Sequence, residues 1–109
     1  MSSRIPPELL TGARRETGAS ALQRALAAES AANLGRLGRA VEAALVRLRD
    51  APEPEREAQE YTCAEAVWRY FVQREACGLV GHEGVIEAYR IPASVLAKVG
   101  AQRPPSTAT

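Results

Sequence analysis

The chain has 109 residues, which is enough for one domain with a small core and too few for two. Its 14 Lys and Arg residues nearly balance its 13 Asp and Glu residues, so the formal charge of +1 is too weak to hold nucleic acid or an anionic membrane. No apolar stretch approaches the roughly 20 residues of a membrane span, and the N-terminus "MSSRIPPELL" lacks the apolar region of a secretory signal, which predicts a cytoplasmic protein.

The composition and the positions of proline and glycine predict an all-α fold. Aromatic residues make up only 5% of the chain, and a core of leucine, valine and alanine suits helices better than a sandwich or a barrel. Pro52 and Pro54 forbid continuation of a first long helix, and Gly78 suits the end of a second. Four helices are therefore predicted, two long ones forming a hairpin over about 17–49 and 54–77, and two short ones over about 81–89 and 92–99.

The two ends of the chain have a different composition. Residues 1–16 are rich in proline, serine and arginine and predict an N-terminal tether or a short helix. Residues 101–109, "AQRPPSTAT", predict a flexible C-terminal tail. The helical domain is therefore expected to span residues 17–100.

Two glycines lie inside the first predicted helix, in the segment "SAANLGRLGRAVEAAL" of residues 30–45. Glycine costs about 1 kcal/mol relative to alanine in a helix interior, so Gly35 and Gly38 require a compensating gain. They either let another helix backbone approach closely or leave a notch for a large ring from a neighbouring helix. The alternative is that both occupy neutral surface positions in an alanine-rich chain.

Both long helices have more apolar circumference than one neighbour can bury. A helical projection of the first one separates a face of leucine and valine from a second face of small residues, among them Ala21 and Ala43. In the second one, apolar and aromatic residues cover more than half of the circumference. We therefore expect a homodimer of two hairpins, a four-helix-type bundle, or binding to another helical protein. The predicted interface consists of Ala25, Ala28, Ala32, Gly35, Gly38, Trp68 and Phe71. The alternative is a monomer whose short helices fold across the open side.

Two charged residues lie inside the apolar arc of the second long helix. Arg74 and Glu75 are predicted to be partly buried, and a bond to Glu29 of the facing helix would fix the register of the hairpin. The alternative is that the apolar arc ends there and both side chains reach water.

The reactive residues do not form a catalytic or metal-binding pattern. His82 is the only histidine, and no set of His, Cys or carboxylate residues has the spacing of a metal site. Cys63 and Cys77 are 14 positions apart on one predicted helix, about 21 Å, so they cannot form a disulfide with each other. The sequence therefore predicts a protein without cofactor or enzymatic activity that acts as a helical interaction or assembly module.

DNA binding is the alternative function. Residues 82–100 have the outline of a helix-turn-helix, with a short helix, a tight turn and a second helix that begins at Ile91-Pro92. However, Arg90 occupies the turn position usually given to glycine, and the second helix offers only Ser94 and Lys98 to reach base edges. DNA binding is therefore a less favoured prediction than the interaction module.

Residues 72–100, "VQREACGLVGHEGVIEAYRIPASVLAKVG", resemble a family of short bacterial proteins that carry a domain of unknown function. The matching features are an Arg-Glu pair at a helix end, a glycine stop, and Tyr-x-Ile-Pro-x-x-Val-Leu before a last glycine. Arg74, Glu75, Tyr89 and Pro92 occupy the matching positions. The resemblance implies a bacterial, helical, intracellular protein and no particular activity.

Overall fold

The computed structural model describes residues 17–101, and helices account for most of them. The helices are α1, Gly18–Asp50; α2, Glu53–Ala76; α3, Glu83–Tyr89; and α4, Ala93–Leu96. The predicted all-α fold with a long helix pair and short following helices is confirmed, and no strand occurs between residues 17 and 101. The predictions for residues 1–16 and 102–109 lie outside the described residues.

α1 and α2 form the hairpin around a link of only two residues. The Thr17 hydroxyl accepts a hydrogen bond from the Ser20 N–H at 3.2 Å and so begins α1, as expected for an N-cap threonine. Ala51 and Pro52 have extended backbone conformations that end α1 and lead into α2. At 1.5 Å per residue, the 33 residues of α1 span about 50 Å and the 24 residues of α2 about 36 Å. The start of α1 therefore extends past the end of α2.

Gly78 ends α2 in the left-handed conformation predicted for it, with a φ of +82°. The Gly78 N–H donates to the Glu75 carbonyl, and the Leu79 N–H donates to the Arg74 carbonyl, both at 2.9 Å. These two bonds form the Schellman motif, which satisfies carbonyls that the helix itself leaves without partners. The chain then turns back along α2.

The two short helices are shorter than the sequence predicts. Gly81 has a φ of +82°, which no α-helical residue adopts, so α3 starts at Glu83 and not at 81. After Leu96 the backbone bonds tighten to three-residue turns, from the Lys98 N–H to the Val95 carbonyl and from the Val99 N–H to the Leu96 carbonyl. α4 is therefore a single turn, followed by a turn that reaches residue 100.

The core lies between α1 and α2 and is closed by the segment around α4. Val41, Val67 and Val95 are fully buried, one from each of α1, α2 and α4. In α1, burial begins only at Gly38, and none of residues 18–35 is buried. None of the four helices combines the length and the apolarity needed to span a bilayer. The core thus occupies one end of the hairpin, and the first half of α1 projects from it.

Candidate interaction surfaces

Gly38 forms a notch that accommodates two tyrosines of the same chain. A Cβ atom at position 38 would lie 3.0 Å from the Tyr89 hydroxyl oxygen and 3.4 Å from Cε1 of Tyr70. The two rings meet edge to face with centroids 5.9 Å apart, a favourable aromatic geometry. Burial, together with a hydrogen bond to Tyr70, raises the pKa of Tyr89 above its ordinary value. Gly38 therefore receives large rings from α2 and α3, and its surface is closed to a second chain.

Gly35 has a different environment, although it is only one turn away. The nearest atom to a Cβ at this position would be the end of the Arg39 side chain, at 3.4 Å. Ala25, Ala28 and Ala32 lie on the same side of α1 and are exposed. This side points away from α2, because a helical projection places it opposite to the buried row that includes Val41. In the row of small residues, Ala25, Ala28, Ala32 and Gly35, the three alanines are therefore not covered by the described part of the chain, and Gly35 is half-buried.

The first half of α1 also exposes leucines. Leu22 and Leu26 have 59% and 51% of their surface accessible, values far from those of a core leucine. Leu26 borders a shallow groove with Ser30, Asn33 and Gln73, which marks the place where α2 ends. We call residues 18–35 the α1 arm.

The two aromatic residues predicted at the interface have different surroundings. Trp68 is 47% exposed, and its ring lies beside Gly100 at the end of the described chain. Val72, one turn further along α2, is also exposed. Phe71 is half-buried and stacks on His82, with ring centroids 4.0 Å apart and ring planes within 1° of parallel. Trp68 therefore keeps an open face, and Phe71 packs within its own chain.

Arg74 and Glu75 bind His82 from opposite sides of its ring. Arg74 Nε donates to His82 Nδ1 at 3.2 Å, and Arg74 Nη2 donates to the Gly81 carbonyl at 3.1 Å. Because a guanidinium can only donate, His82 Nδ1 must accept, and the ring proton lies on Nε2. His82 Nε2 then donates to Glu75 Oε2 at 3.0 Å. Both imidazole nitrogens are therefore engaged in fastening the turn after α2.

This arrangement differs from the register bond expected between Arg74, Glu75 and Glu29. Glu29 lies on the groove beside Gln73, and no ion pair among residues 17–101 joins it to Arg74. Arg74 is half-buried, as expected, and its guanidinium lies 5.9 Å from the centroid of the Tyr70 ring. The same prediction was wrong for Glu75, whose side chain is exposed because it lies on the outer side of the turn after α2. The pair therefore fixes the return of the chain, and the partner that sequence reasoning missed is His82.

The segment after α3 is anchored to α2 through Glu60. Lys98 Nζ lies 3.1 Å from Glu60 Oε1 and 5.4 Å from the centroid of the Tyr61 ring. Hydrogen bonds from Ser94 and then from Lys98 lower the pKa of Glu60 below its ordinary value. Ser94 and Lys98 are the only polar side chains that a reading helix at 93–98 would offer to DNA, and both are engaged with Glu60. This geometry argues against a helix-turn-helix that reads bases.

The cysteines have contrasting surroundings. Cys63 is fully buried, and burial raises the pKa of its thiol to about 11, whereas Cys77 is exposed. In the described range, no three His, Cys, Asp or Glu residues gather where they could hold a metal ion. The described side chains form contact surfaces, together with the hydrogen bonds and ion pairs that hold the turns in place.

Fold and surfaces together define a small all-α protein: a helical hairpin whose α1 arm and Trp68 side remain uncovered over residues 17–101. The chain belongs to the family of unknown function DUF6665, whose family model matches residues 1–106. The predicted resemblance to an uncharacterised family is thereby confirmed, and it extends well beyond residues 72–100. No curated protein and no solved structure matches the chain.

Proposed function

We propose that the protein is a non-enzymatic helical interaction module that self-associates through its α1 arm. The observation that carries this proposal is a row of three exposed alanines, continued by the half-buried Gly35, with the only two charges of the arm on its two sides. Leu22, which is 59% exposed, lies beside the same row. A second copy of this chain is the proposed occupant of the surface.

The spacing of the row fits two-stranded helix pairing. Ala25, Ala28, Ala32 and Gly35 are separated by three, four and three residues, which is the alternation of a and d positions in a coiled coil. Side chains of one methyl group or none let two backbones approach to the short end of the usual 8–10 Å range. Arg39 occupies the next a position, where two guanidinium groups would repel each other. We therefore expect the pairing to end after Gly35.

The charges on the arm select the orientation. Arg24 and Glu29 are the only charged residues between 18 and 35, they are five positions apart, and they flank the row on opposite sides. In a parallel two-fold pair, a residue at g lies opposite the residue five positions later on the other helix, so Arg24 meets Glu29 of the second copy twice. In an antiparallel pair, g positions face g positions and e positions face e positions, so Arg24 would not meet Glu29 of the second copy. Charge complementarity thus favours a parallel dimer.

The same proposal includes the other expectations for the module. Two hairpins paired through their α1 arms would bring four helices together in one dimer, each α2 lying on the outer side of its own α1. Free thiols at Cys63 and Cys77 are typical of a reducing compartment, which supports a cytoplasmic location. An alanine side chain has little apolar area to bury, and each Å² of buried apolar area contributes only about 25 cal/mol. We therefore expect a dimer that dissociates on dilution.

Molar mass in solution tests the proposal. Light scattering over a concentration series should show the mass rising from one chain towards two, and Ala25→Glu should keep it at one. Ala27→Glu is the matched control, because Ala27 is also exposed but lies on another side of the arm. A single-chain mass at the highest soluble concentration would refute self-association.

A charge exchange tests the orientation. Arg24→Glu and Glu29→Arg should each weaken a parallel dimer, and the double variant should restore it because both cross-helix pairs are rebuilt. Circular dichroism of each variant checks that the hairpin itself stays folded. A double variant that associates no better than the two single ones would refute the parallel pairing.

A further inference from the structure

Three arginines from distant parts of the sequence line one cavity at the turn end of the hairpin. Arg49 comes from the last turn of α1, Arg56 from the first turns of α2, and Arg90 from the turn between α3 and α4. The cavity has a volume of about 320 Å³, within the usual range for small-molecule sites. Leu45, Leu48, Tyr89 and Pro92 form the rest of its lining.

No cavity arginine forms an ion pair with a carboxylate of the described residues, although Glu60 is close enough to Arg56 for that positive charge to help lower its pKa. Among residues 17–101, the ion pairs are Arg69 with Glu65, His82 with Glu75, and Lys98 with Glu60, and none of them includes a cavity arginine. Arg56 Nη1 donates to the Leu48 carbonyl at 3.4 Å, which holds one guanidinium at the cavity wall. Guanidinium groups are permanently charged and recognise phosphate oxygens in two-pronged geometry. An oxyanion is therefore the ligand that this lining can satisfy.

The backbone at Arg90 gives a second, independent reason. Four residues of the described chain have a positive φ, and three of them are glycines: Gly78, Gly81 and Gly100. The fourth is Arg90, with φ 54° and ψ 51°, a conformation that is costly for a residue with a Cβ atom. Glycine would adopt this turn at lower cost, and a ligand bound by the Arg90 side chain would account for the arginine at this position.

We propose that this cavity, the arginine cavity, binds a phosphate dianion, free or as a phosphomonoester. Arg49, Arg56 and Arg90 would bind the phosphate oxygens. The apolar lining by Leu45, Leu48 and Pro92 would contact the organic group of an ester. At 1.5 Å per residue, Arg49 lies about 21 Å along α1 from Gly35. The site is therefore separate from the α1 arm, and either proposal can fail without the other.

Calorimetric titration with inorganic phosphate and with phenyl phosphate, each against sodium chloride of equal ionic strength, tests the site. Saturable binding of either phosphate is expected. Tighter binding of phenyl phosphate would point to an ester, and equal binding to the free ion. Absence of saturable binding by both would overturn the proposal.

Substitutions locate the binding. Arg90→Gly should raise the dissociation constant of the phosphate that binds by about tenfold or more, since a charged hydrogen bond is lost. Its melting temperature without ligand should stay equal or rise, because glycine relieves the left-handed backbone. Arg49→Gln should weaken binding similarly, whereas Arg47→Gln, in the same helical turn but outside the cavity, should change it by less than about twofold. Equal losses in the Arg47 and Arg49 variants would show only general charge attraction and would overturn the site.

Discussion

The notch at Gly38 gives the most direct test of the fold. Replacing an interior helical glycine by alanine gains about 1 kcal/mol of helix propensity when the new methyl group has room. At Gly38 the methyl group would be crowded, because its Cβ would lie 3.0 Å from the Tyr89 hydroxyl oxygen, a few tenths of an ångström inside the usual contact distance of 3.4–4 Å. Moving a packed ring costs about 1–3 kcal/mol, and losing the bond between Tyr89 and Tyr70 about 1 kcal/mol more.

These energies predict that alanine changes the free energy of unfolding in opposite directions at two glycines of α1. Gly38→Ala should lower the free energy of unfolding by about 1–3 kcal/mol, that is, a gain of about 1 against a cost of about 2–4. Gly35→Ala should raise it by about 1 kcal/mol, because only the flexible end of Arg39 lies near, at 3.4 Å. In a domain of this size, 1 kcal/mol corresponds to about 4–8 °C in melting temperature.

Thermal and urea unfolding, followed by circular dichroism at one low protein concentration, measures both variants. Tyr89→Phe removes the crowded hydroxyl, so Gly38→Ala should cost less in that background than in the wild type. If Gly38→Ala stabilised the protein as much as Gly35→Ala, the rings would not occupy the notch, and the reasoning would be refuted.

Three further predictions concern titrating groups. In the native protein a thiol reagent should label Cys77 at once and Cys63 only on unfolding, and a Cys77→Ser variant that still labels rapidly would contradict this. Folding raises the pKa of Cys63 from 9.0 to about 11, so the protonated thiol favours the folded state. Its contribution to the free energy of unfolding is fully present below pH 9 and is lost between pH 9 and 11. The pKa of Glu60 is lowered from 4.5, so the stability advantage of the wild type over Glu60→Gln should be complete well above pH 4.5. It should disappear as the pH falls below that value, and an advantage that persists in acid would exclude the bonds with Ser94 and Lys98.

The sequence was sufficient to predict the long helices, because their signals are local. Pro52 and Pro54 mark where α1 cannot continue, Gly78 marks where α2 ends, and the bounds of both long helices agree with the structure to one residue. The ends of α3 and α4 were less accurate, because they depend on the left-handed φ of Gly81 and on a tightened last turn. Neither feature alters the apolar periodicity from which a helix is predicted.

The side-chain contacts could not be predicted without knowledge of the fold. Gly38 was expected to admit a large ring, but the choice between a ring of this chain and a surface for another required the return of α3. The partner of Arg74 and Glu75 could not be foreseen, because His82 reaches them only after the turn that Gly78 allows. The arginine cavity draws on three separate segments, and its one trace in the sequence is Arg90 at a turn position usually given to glycine.

The two-residue link between α1 and α2 also determines how the chain finds its structure. Because Ala51 and Pro52 alone separate the helices, the first contacts of the hairpin close a very short loop, which loses little chain entropy. Proteins built from such near-neighbour contacts fold in microseconds to milliseconds. The hairpin should therefore form early, and the segment from Gly78 to Gly100 should pack on it afterwards.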